Sequence, residues 1–414
     1  MAYSPTKLAW KNLTHNRGRT LVGMAGVGFA TVLLFMQFGF RGAILKTATQ
    51  VYDALDFDLV VRSSAYLHLT EPRSFPRQRL WQAAALEGVA GVRPLCIGLS
   101  EWRAPGGSAV VAPTNLADTT AVVSGGESRS IITIGVEPTD APLSDGDTRL
   151  SARRLGGPGF VLIDTKSKPE YGPAEPPRFG AADIGVETDL GPRRVRIVGL
   201  FEMGAGMACN GACMTSLAGY YAACPWQPPH TINLGLVSLG GGAAPPTSAA
   251  QQLRAALTDG AGGSAADSLE VLTRAEVNAR EERRWMDETP FGKIFGLGVL
   301  VAILVGVAIV YQVLSSDIAN LTAEYATLRA LGYSNSFLAG VVLRQSLLLA
   351  IVGYAPSLAV SVGLYAAVGS RAGIPMVMTP AIAFSVLALT LTMCVVSGVA
   401  ALRKLFRADP ADLF

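Results

Sequence analysis

Charge is what this sequence has least of. Asp, Glu, Lys and Arg make up 16% of its 414 residues, while half are hydrophobic; a soluble domain usually carries about a quarter charged residues. Histidine is nearly absent, at positions 15, 68 and 230 only. No H-E-x-x-H, G-x-S-x-G or G-x-x-x-x-G-K-[ST] stretch occurs, so the sequence holds no metalloprotease signature, no nucleophile elbow and no P-loop of its own. No catalytic constellation and no cofactor site emerge, and the chain reads as a non-enzyme. A basic stripe is missing too. Net charge is +3, and nucleic acid needs clustered cations. From 41 to 293 the chain has 24 basic and 27 acidic residues, against 10 and 4 elsewhere. The positive excess therefore lies on tails and short loops, which suits membrane topology and excludes a nucleic-acid partner.

What is abundant is apolar sequence, gathered into four blocks. Residues 21–40 form an uncharged run of twenty, LVGMAGVGFATVLLFMQFGF, reaching about 30 Å as a helix. A cleaved signal peptide has a shorter apolar core and a small-residue cleavage site; here Arg41 and Lys46 follow without one, which favours an uncleaved anchor. Further spans are expected at 294–314, 347–368 and 381–402, with Pro356 kinking the third. Lys7, Lys11, Arg17 and Arg19 precede the first span, and Arg403, Lys404 and Arg407 follow the last. The positive-inside rule then puts both tails, 1–20 and 403–414, in the cytoplasm. The expected fold is a membrane protein with four transmembrane α-helices, one then three. A large α+β extracytoplasmic domain at 41–293 separates the first and second spans. Residues 315–346 form a cytoplasmic loop and 369–380 an outer turn. The surrounding lipid is the one non-protein partner.

The spans carry few polar groups. Gln37 and Gln312 suit interhelical hydrogen bonds or interfacial positions, and no ionisable group lies deep in a span, which argues against an ion-coupled carrier. Gly292/Gly296 and Ala302/Gly306 permit close helix contact, either between copies or within the chain.

Two cytoplasmic elements stand out. Residues 3–19 read as a short amphipathic helix with Leu8, Trp10 and Leu13 on one edge. In the 315–346 loop, 322–331 has helix-forming composition and Gly332 supplies a C-terminal stop. Tyr325, Leu328 and Leu331 recur at helical spacing, with Glu324 and Arg329 as exposed candidates. Such a helix is either a connector or a docking surface.

The outer domain mixes β-rich runs at 57–62, 131–136, 160–164, 195–200 and 232–239 with helical stretches at 77–86, 248–257 and 274–286. The last is strongly charged and is expected to run unbroken into the second span as a rod. Residues 168–178 and 240–246 read as loops. Cys96, Cys209, Cys213 and Cys224 are candidates for one or two disulfides in an oxidising compartment, or else are buried thiols. Cys209, Cys213, Cys224 and His230 fit no standard zinc spacing, so no metal is expected. Cys394 lies in the last span.

LAWKNLTHNRGRTLVGMAGVGFATVLLFMQFGFRGA at 8–43, SFPRQRLWQA at 74–83 and LIDTKSKPEYGP at 162–173 resemble the DevC-like permeases of the MacB/FtsX/LolC-type superfamily of ABC transporters. So do YQVLSSDIANLTAEYATLRALGYSN at 311–335 and MCVVSGVAALRKLFRADPADLF at 393–414. The resemblance implies that the loop holds the coupling helix, with Glu324, Tyr325, Leu328, Arg329, Gly332 and Tyr333 docking on a separate ATPase subunit. It also implies a homodimer in the cytoplasmic (inner) membrane, a periplasmic membrane-fusion adaptor and, in Gram-negative cells, a TolC-type channel. ATP-driven motion would then reach the outer domain and drive export. A relative that transmits a signal without transport, as FtsX-type proteins do toward a wall hydrolase or sensor, shares the same features.

Overall fold

In lipid, a backbone must satisfy its own hydrogen bonds, and a long apolar run does so as a helix. Each of the four apolar blocks lies in one. The computed structural model describes residues 5–15, 17–105, 127–204, 210–242, 244–259, 268–321, 324, 327–328, 331–372 and 374–407. The chain divides into two compact units, Met1–Ile44 with Met286–Phe414, and Leu45–Trp285.

The first unit is helical. A short helix α1, Pro5–His15, precedes α2, Arg17–Ala54. After the large domain come α8, Pro290–Asn320, then α9, Asn335–Ala372, and α10, Pro380–Arg407. Four helices are long and apolar enough to cross a membrane, and they make the chain a multi-pass membrane protein. α10 packs along α8 and α9, and α1 lies against α9. Val27 and Ala30 of α2, Val310 and Leu314 of α8, Leu349 of α9 and Met393 of α10 share one core. Large apolar side chains such as Ile294, Leu297, Leu304 and Phe384 stay exposed, which only a lipid environment makes cheap.

Glycines explain the close helix contacts. A β-carbon at Gly306 would collide with Met393 and crowd Ala30, and Ala302 is buried beside it. That small-residue pair therefore serves packing within the chain. Gly292 has a different reason: a β-carbon there would strike the Met286 carbonyl oxygen. Gly296 faces open space.

The second unit holds the α+β domain. Its elements begin with β1 (Leu59–Ser63), β2 (Phe75–Pro76), α3 (Gln78–Ala84), β3 (Val89–Arg103), β4 (Ser128–Val136), α4 (Gly146–Ala152) and β5 (Phe160–Asp164). There follow β6 (Glu187–Leu190), β7 (Arg193–Phe201), β8 (Ala212–Ser216), α5 (Leu217–Ala223), β9 (Thr231–Ile232) and β10 (Leu234–Leu239). α6 (Pro246–Asp259), β11 (Leu269–Thr273) and α7 (Arg274–Arg283) complete the set. Nine strands run in the order β11-β1-β10-β3-β4-β8-β5-β7-β6, and β6 also pairs with β3. The last six thus close on themselves through Trp102↔Leu190 and Arg103↔Asp189. β3 serves both halves: 89–95 pair with β10, and 96–103 with β4. β7 shows the period-2 pattern of a one-sided strand, with Val195 and Ile197 buried and Arg194 and Arg196 outside on Glu187. Trp102 is fully buried, its indole N–H donating to the Tyr171 carbonyl at 3.0 Å.

The expected unbroken rod into the second span is not formed. After α7 the chain makes a π-helical turn, Arg284–Glu288. It then breaks at Thr289, which is extended at φ −92°, ψ 156°, before Pro290 opens α8. Proline bars its predecessor from helical geometry, and Gly292 admits the turn's returning carbonyl. The long continuous helix is instead α2, which stays helical to Ala54, well past the span expected at 21–40. α9 likewise starts at Asn335, so the connection from α8 narrows to 321–334.

Candidate coupling site

A helix that ends inside a short loop needs a residue with positive φ to turn the chain back, and Gly332 is that residue, at φ 90°. The N–H of Tyr333 donates to the Leu328 carbonyl at 3.1 Å, and that of Leu331 to Thr327 at 3.0 Å. The six-to-one bond across a left-handed glycine is a Schellman stop. Two residues on, Ser334 caps α9, its Oγ accepting from the Phe337 N–H at 3.3 Å. The Tyr333 ring packs on Phe337, with centroids 4.7 Å apart. A left-handed turn at Gly332 and the Ser334 cap of α9 thus stand within three residues.

The side chains divide by environment. Leu328 packs against the core formed by Ile318 of α8 and Leu338 of α9. Glu324 is exposed, and Leu331 is 71% exposed. Of the six coupling residues expected from the resemblance, Glu324, Leu328, Gly332 and Tyr333 fall on this segment. Tyr325 and Arg329 lie outside the described residues. Leu331 was not among them, although among the described residues of the segment it is the most exposed large apolar one. Its spacing grouped it with Tyr325 and Leu328 on one face, whereas Leu328 is packed and Leu331 is exposed before the left-handed glycine.

Behind this segment the helices are joined by hydrogen bonds. Gln345 of α9 donates to the Asp317 carboxylate of α8 at 2.9 Å. Deeper in, the hydroxyls of Thr31 and Thr390 lie 3.3 Å apart. Ser357 donates to the Gly28 carbonyl at 3.1 Å and Ser397 to that of Val307 at 3.0 Å. The Gln37 carboxamide rests on Gly298, and Gln312 is exposed. Apart from the exposed Gln312, these groups make contacts between the helices. Among the described residues no Asp, Glu, Lys, Arg or His occupies the middle of an apolar helix.

The reactive-looking groups of the large domain are committed to structure. Cys96, Cys213 and Cys224 are buried, and no disulfide joins any two of them; Cys209 lies outside the described residues. Each sulfur has a local polar neighbour. Cys224 is 2.9 Å from the Ser100 hydroxyl, Cys213 is 3.4 Å from that of Thr133, and Cys96 is 3.8 Å from that of Tyr221. Of the two alternatives, bridges or buried thiols, these three are buried thiols. Burial pushes the Cys96 thiol up to about 12, which removes its nucleophilic form at neutral pH. Asp164 is fully buried and accepts from the N–H groups of Lys166, Met203 and Gly204 at 3.1, 3.2 and 2.7 Å. Burial raises its pKa, and those three bonds oppose the rise.

The class defined by these features is a multi-pass membrane protein with a large α+β domain inserted between its first and second apolar helices. Residues 296–410, which take in most of α8, the 321–334 segment, α9 and α10, match the family described as FtsX-like permease C-terminal. Among solved structures, the chain is similar to the extracellular domain of the noncanonic ABC-type transporter YknZ from Gram-positive bacteria. Identity there is 14%, over 52% of this chain and 99% of that one, with a TM-score of 0.34. It is also similar to the periplasmic region of MacB from Actinobacillus actinomycetemcomitans, at 9% identity over 56% and 95%, with a TM-score of 0.32. No curated protein matches the chain.

Proposed function

We propose that the chain is the permease subunit of a DevC/MacB-type ABC exporter in the cytoplasmic membrane. Both termini and the 321–334 segment face the cytoplasm, and the large domain faces outward. A separate ATPase docks on Glu324, Tyr325, Leu328, Arg329, Gly332 and Tyr333, with Leu331 added as the apolar anchor. ATP-driven motion passes to the outer domain, which works with a membrane-fusion adaptor and a TolC-type channel; the permease acts as a homodimer. The observation that carries this reading is the FtsX-like match over 296–410 enclosing a segment turned at Gly332, with Glu324 and Leu331 exposed. An apolar anchor rimmed by charge is what a docking patch needs. The bundle's commitment of its polar groups to helix contacts fits a transmission better than a conduit.

The test is co-purification of the full chain with the ATPase encoded beside it, followed by ATP hydrolysis in lipid nanodiscs. Glu324→Lys and Arg329→Glu should each abolish stimulation of the ATPase while the permease remains folded in the membrane. Normal stimulation in both variants would overturn the docking assignment. A non-exporting transmitter shares this geometry. Recovery of a wall hydrolase without an adaptor from cross-linked cells is the outcome that selects it.

A further inference from the structure

The last turn of α2 contains no basic residue, and Asp53 stands there instead. A helix C-terminus leaves carbonyls unpaired and gathers partial negative charge. Here the missing cation arrives from more than two hundred residues further along the chain. Arg274, the first residue of α7, donates from Nη1 to the Tyr52 carbonyl at 3.0 Å. Its Nη2 donates to the carbonyls of Leu55 and Phe57 at 2.7 and 3.0 Å. The guanidinium also lies over the Phe57 ring, 4.2 Å from its centroid.

A second link joins the same two elements through side chains. The Tyr52 hydroxyl is 3.2 Å from that of Tyr66, and Arg62 lies over the Tyr66 ring at 4.4 Å. Arg62 donates from Nε to Glu270 at 2.5 Å and from Nη1 to Glu281, on α7, at 3.2 Å. Arg62 and Glu281 are 4% and 3% exposed. Burial raises the Glu281 pKa above its ordinary value, and Arg62 offsets only part of that. A buried ion pair of this kind is a poor source of stability and is better understood as a device for register.

What meets here gives the register a purpose. α2 enters the large domain as the continuation of the first apolar helix. α7 leaves it, through the 284–288 turn, for the second. These two connections are the covalent routes by which motion in the spans reaches the domain.

We propose that Arg274, together with the Arg62–Glu281 pair, is a positioning lock that makes the two connections, α2 and α7, move as one body. The proposal rests on the permease reading and narrows it. Sliding of α2 past α7 by one turn would strip the Tyr52, Leu55 and Phe57 carbonyls from their shared donor, so the transmitted motion carries both connections together.

The experiment is hydrogen–deuterium exchange on the full chain, in lipid nanodiscs with its ATPase, with and without a non-hydrolysable ATP analogue. Without nucleotide, Arg274→Gln should speed exchange across 49–57 about tenfold. Arg274→Lys, which keeps the charge but has a single donor centre, should do so less and serves in place of the Gln variant if that fails to insert. With nucleotide, the wild-type segments 49–57 and 274–283 should respond together. In Arg274→Gln they should respond separately, and ATP hydrolysis should persist while export falls. Unchanged exchange at 49–57 in both variants, or independent responses in the wild type, would overturn the lock. A wild-type complex with no nucleotide response anywhere defeats the permease reading instead, and the nucleotide-free comparison still decides the lock.

Discussion

Gly332→Ala isolates one physical variable. A β-carbon at this position would meet no atom within 4 Å, so the substitution creates no clash. What changes is the backbone: at φ 90° an L side chain sits in the left-handed region, at a cost of about 1–2 kcal/mol. The lower chain entropy of alanine in the unfolded state returns roughly 0.4–1 kcal/mol of that. A net penalty near 1 kcal/mol lowers the ratio of capped to uncapped turn about fivefold. The Tyr333 N–H bond to Leu328 is made only in that turn, so exchange of the Tyr333 amide should rise by about the same factor. Stimulation of the ATPase should drop severalfold, while the thermal midpoint of the whole chain moves little. Asparagine tolerates the left-handed region better, so Gly332→Asn should retain more of both. An alanine variant that matches wild type in exchange and stimulation, or an asparagine variant worse than alanine, would refute the reasoning.

Other outcomes follow from the same kind of argument. Gly292→Ala would drive a β-carbon into the Met286 carbonyl and should destabilise the chain by about 1–3 kcal/mol. Gly296→Ala faces open space and should leave the thermal midpoint unchanged; equal behaviour of the two in a thermal-shift assay would contradict the packing described. Glu281 has a folded pKa raised by burial, so its charge works against folding above that pKa, and the burden fades as pH falls toward about 4.5. The stability of wild type relative to Glu281→Gln should therefore rise from pH 7 toward pH 5, whichever of the two is the more stable at pH 7, and a relative fall on acidification would sink this account. Cys96 and Cys224 are fully buried free thiols and should resist maleimide at pH 7 until the chain is denatured, whereas rapid labelling of the native protein would show that their niches open.

The membrane plan was legible because a lipid-spanning helix needs a long uncharged run, which few other structures share. The domain's strands were legible where β-branched residues cluster, as at Phe160–Asp164, and not where packing overrides composition. β3 holds Gly91, Pro94 and Gly98, which read as breakers, yet it is the strand common to both halves of the sheet. Gly98 and Gly135 leave room for the buried Tyr220, a reason invisible without the neighbouring helix. β8, ACMTS, is too short and small in its side chains to announce itself, although every residue is buried. At the coupling segment, Gly332 was readable as a stop because one residue type dominates that position. The exposure of Leu331 depends on the direction the chain takes at the turn, and spacing alone cannot supply that.

The misplaced rod is the more instructive case. The charged run at 274–286 suggested continuity into the second span, but Thr289-Pro290 breaks the helix there, and the weight of continuity falls on α2. At 38 residues that helix is about 57 Å long, more than a bilayer core requires. In the bundle it is held through Val27 and Ala30 in one core with α8, α9 and α10, of which α8 and α9 flank the coupling segment. At its far end it is capped by Arg274. On the proposed coupling reading, a displacement that starts at 321–334 has two ways onward. One passes through α8 to the irregular 284–289 turn, where the helix is broken at Thr289. The other passes sideways into α2, which stays helical throughout. On that reading the stiffer element carries the larger share, and α7, tied to α2 by the proposed lock of Arg274 and the Arg62–Glu281 pair, follows it. On this argument lengthening the 284–289 turn by one glycine should be tolerated far better than inserting one glycine after Ala48 in α2. That insertion rotates every later residue by about 100° and pulls Tyr52 off its partners. Equal export from the two insertion variants, at equal membrane levels, would mean that α2 is not the principal route.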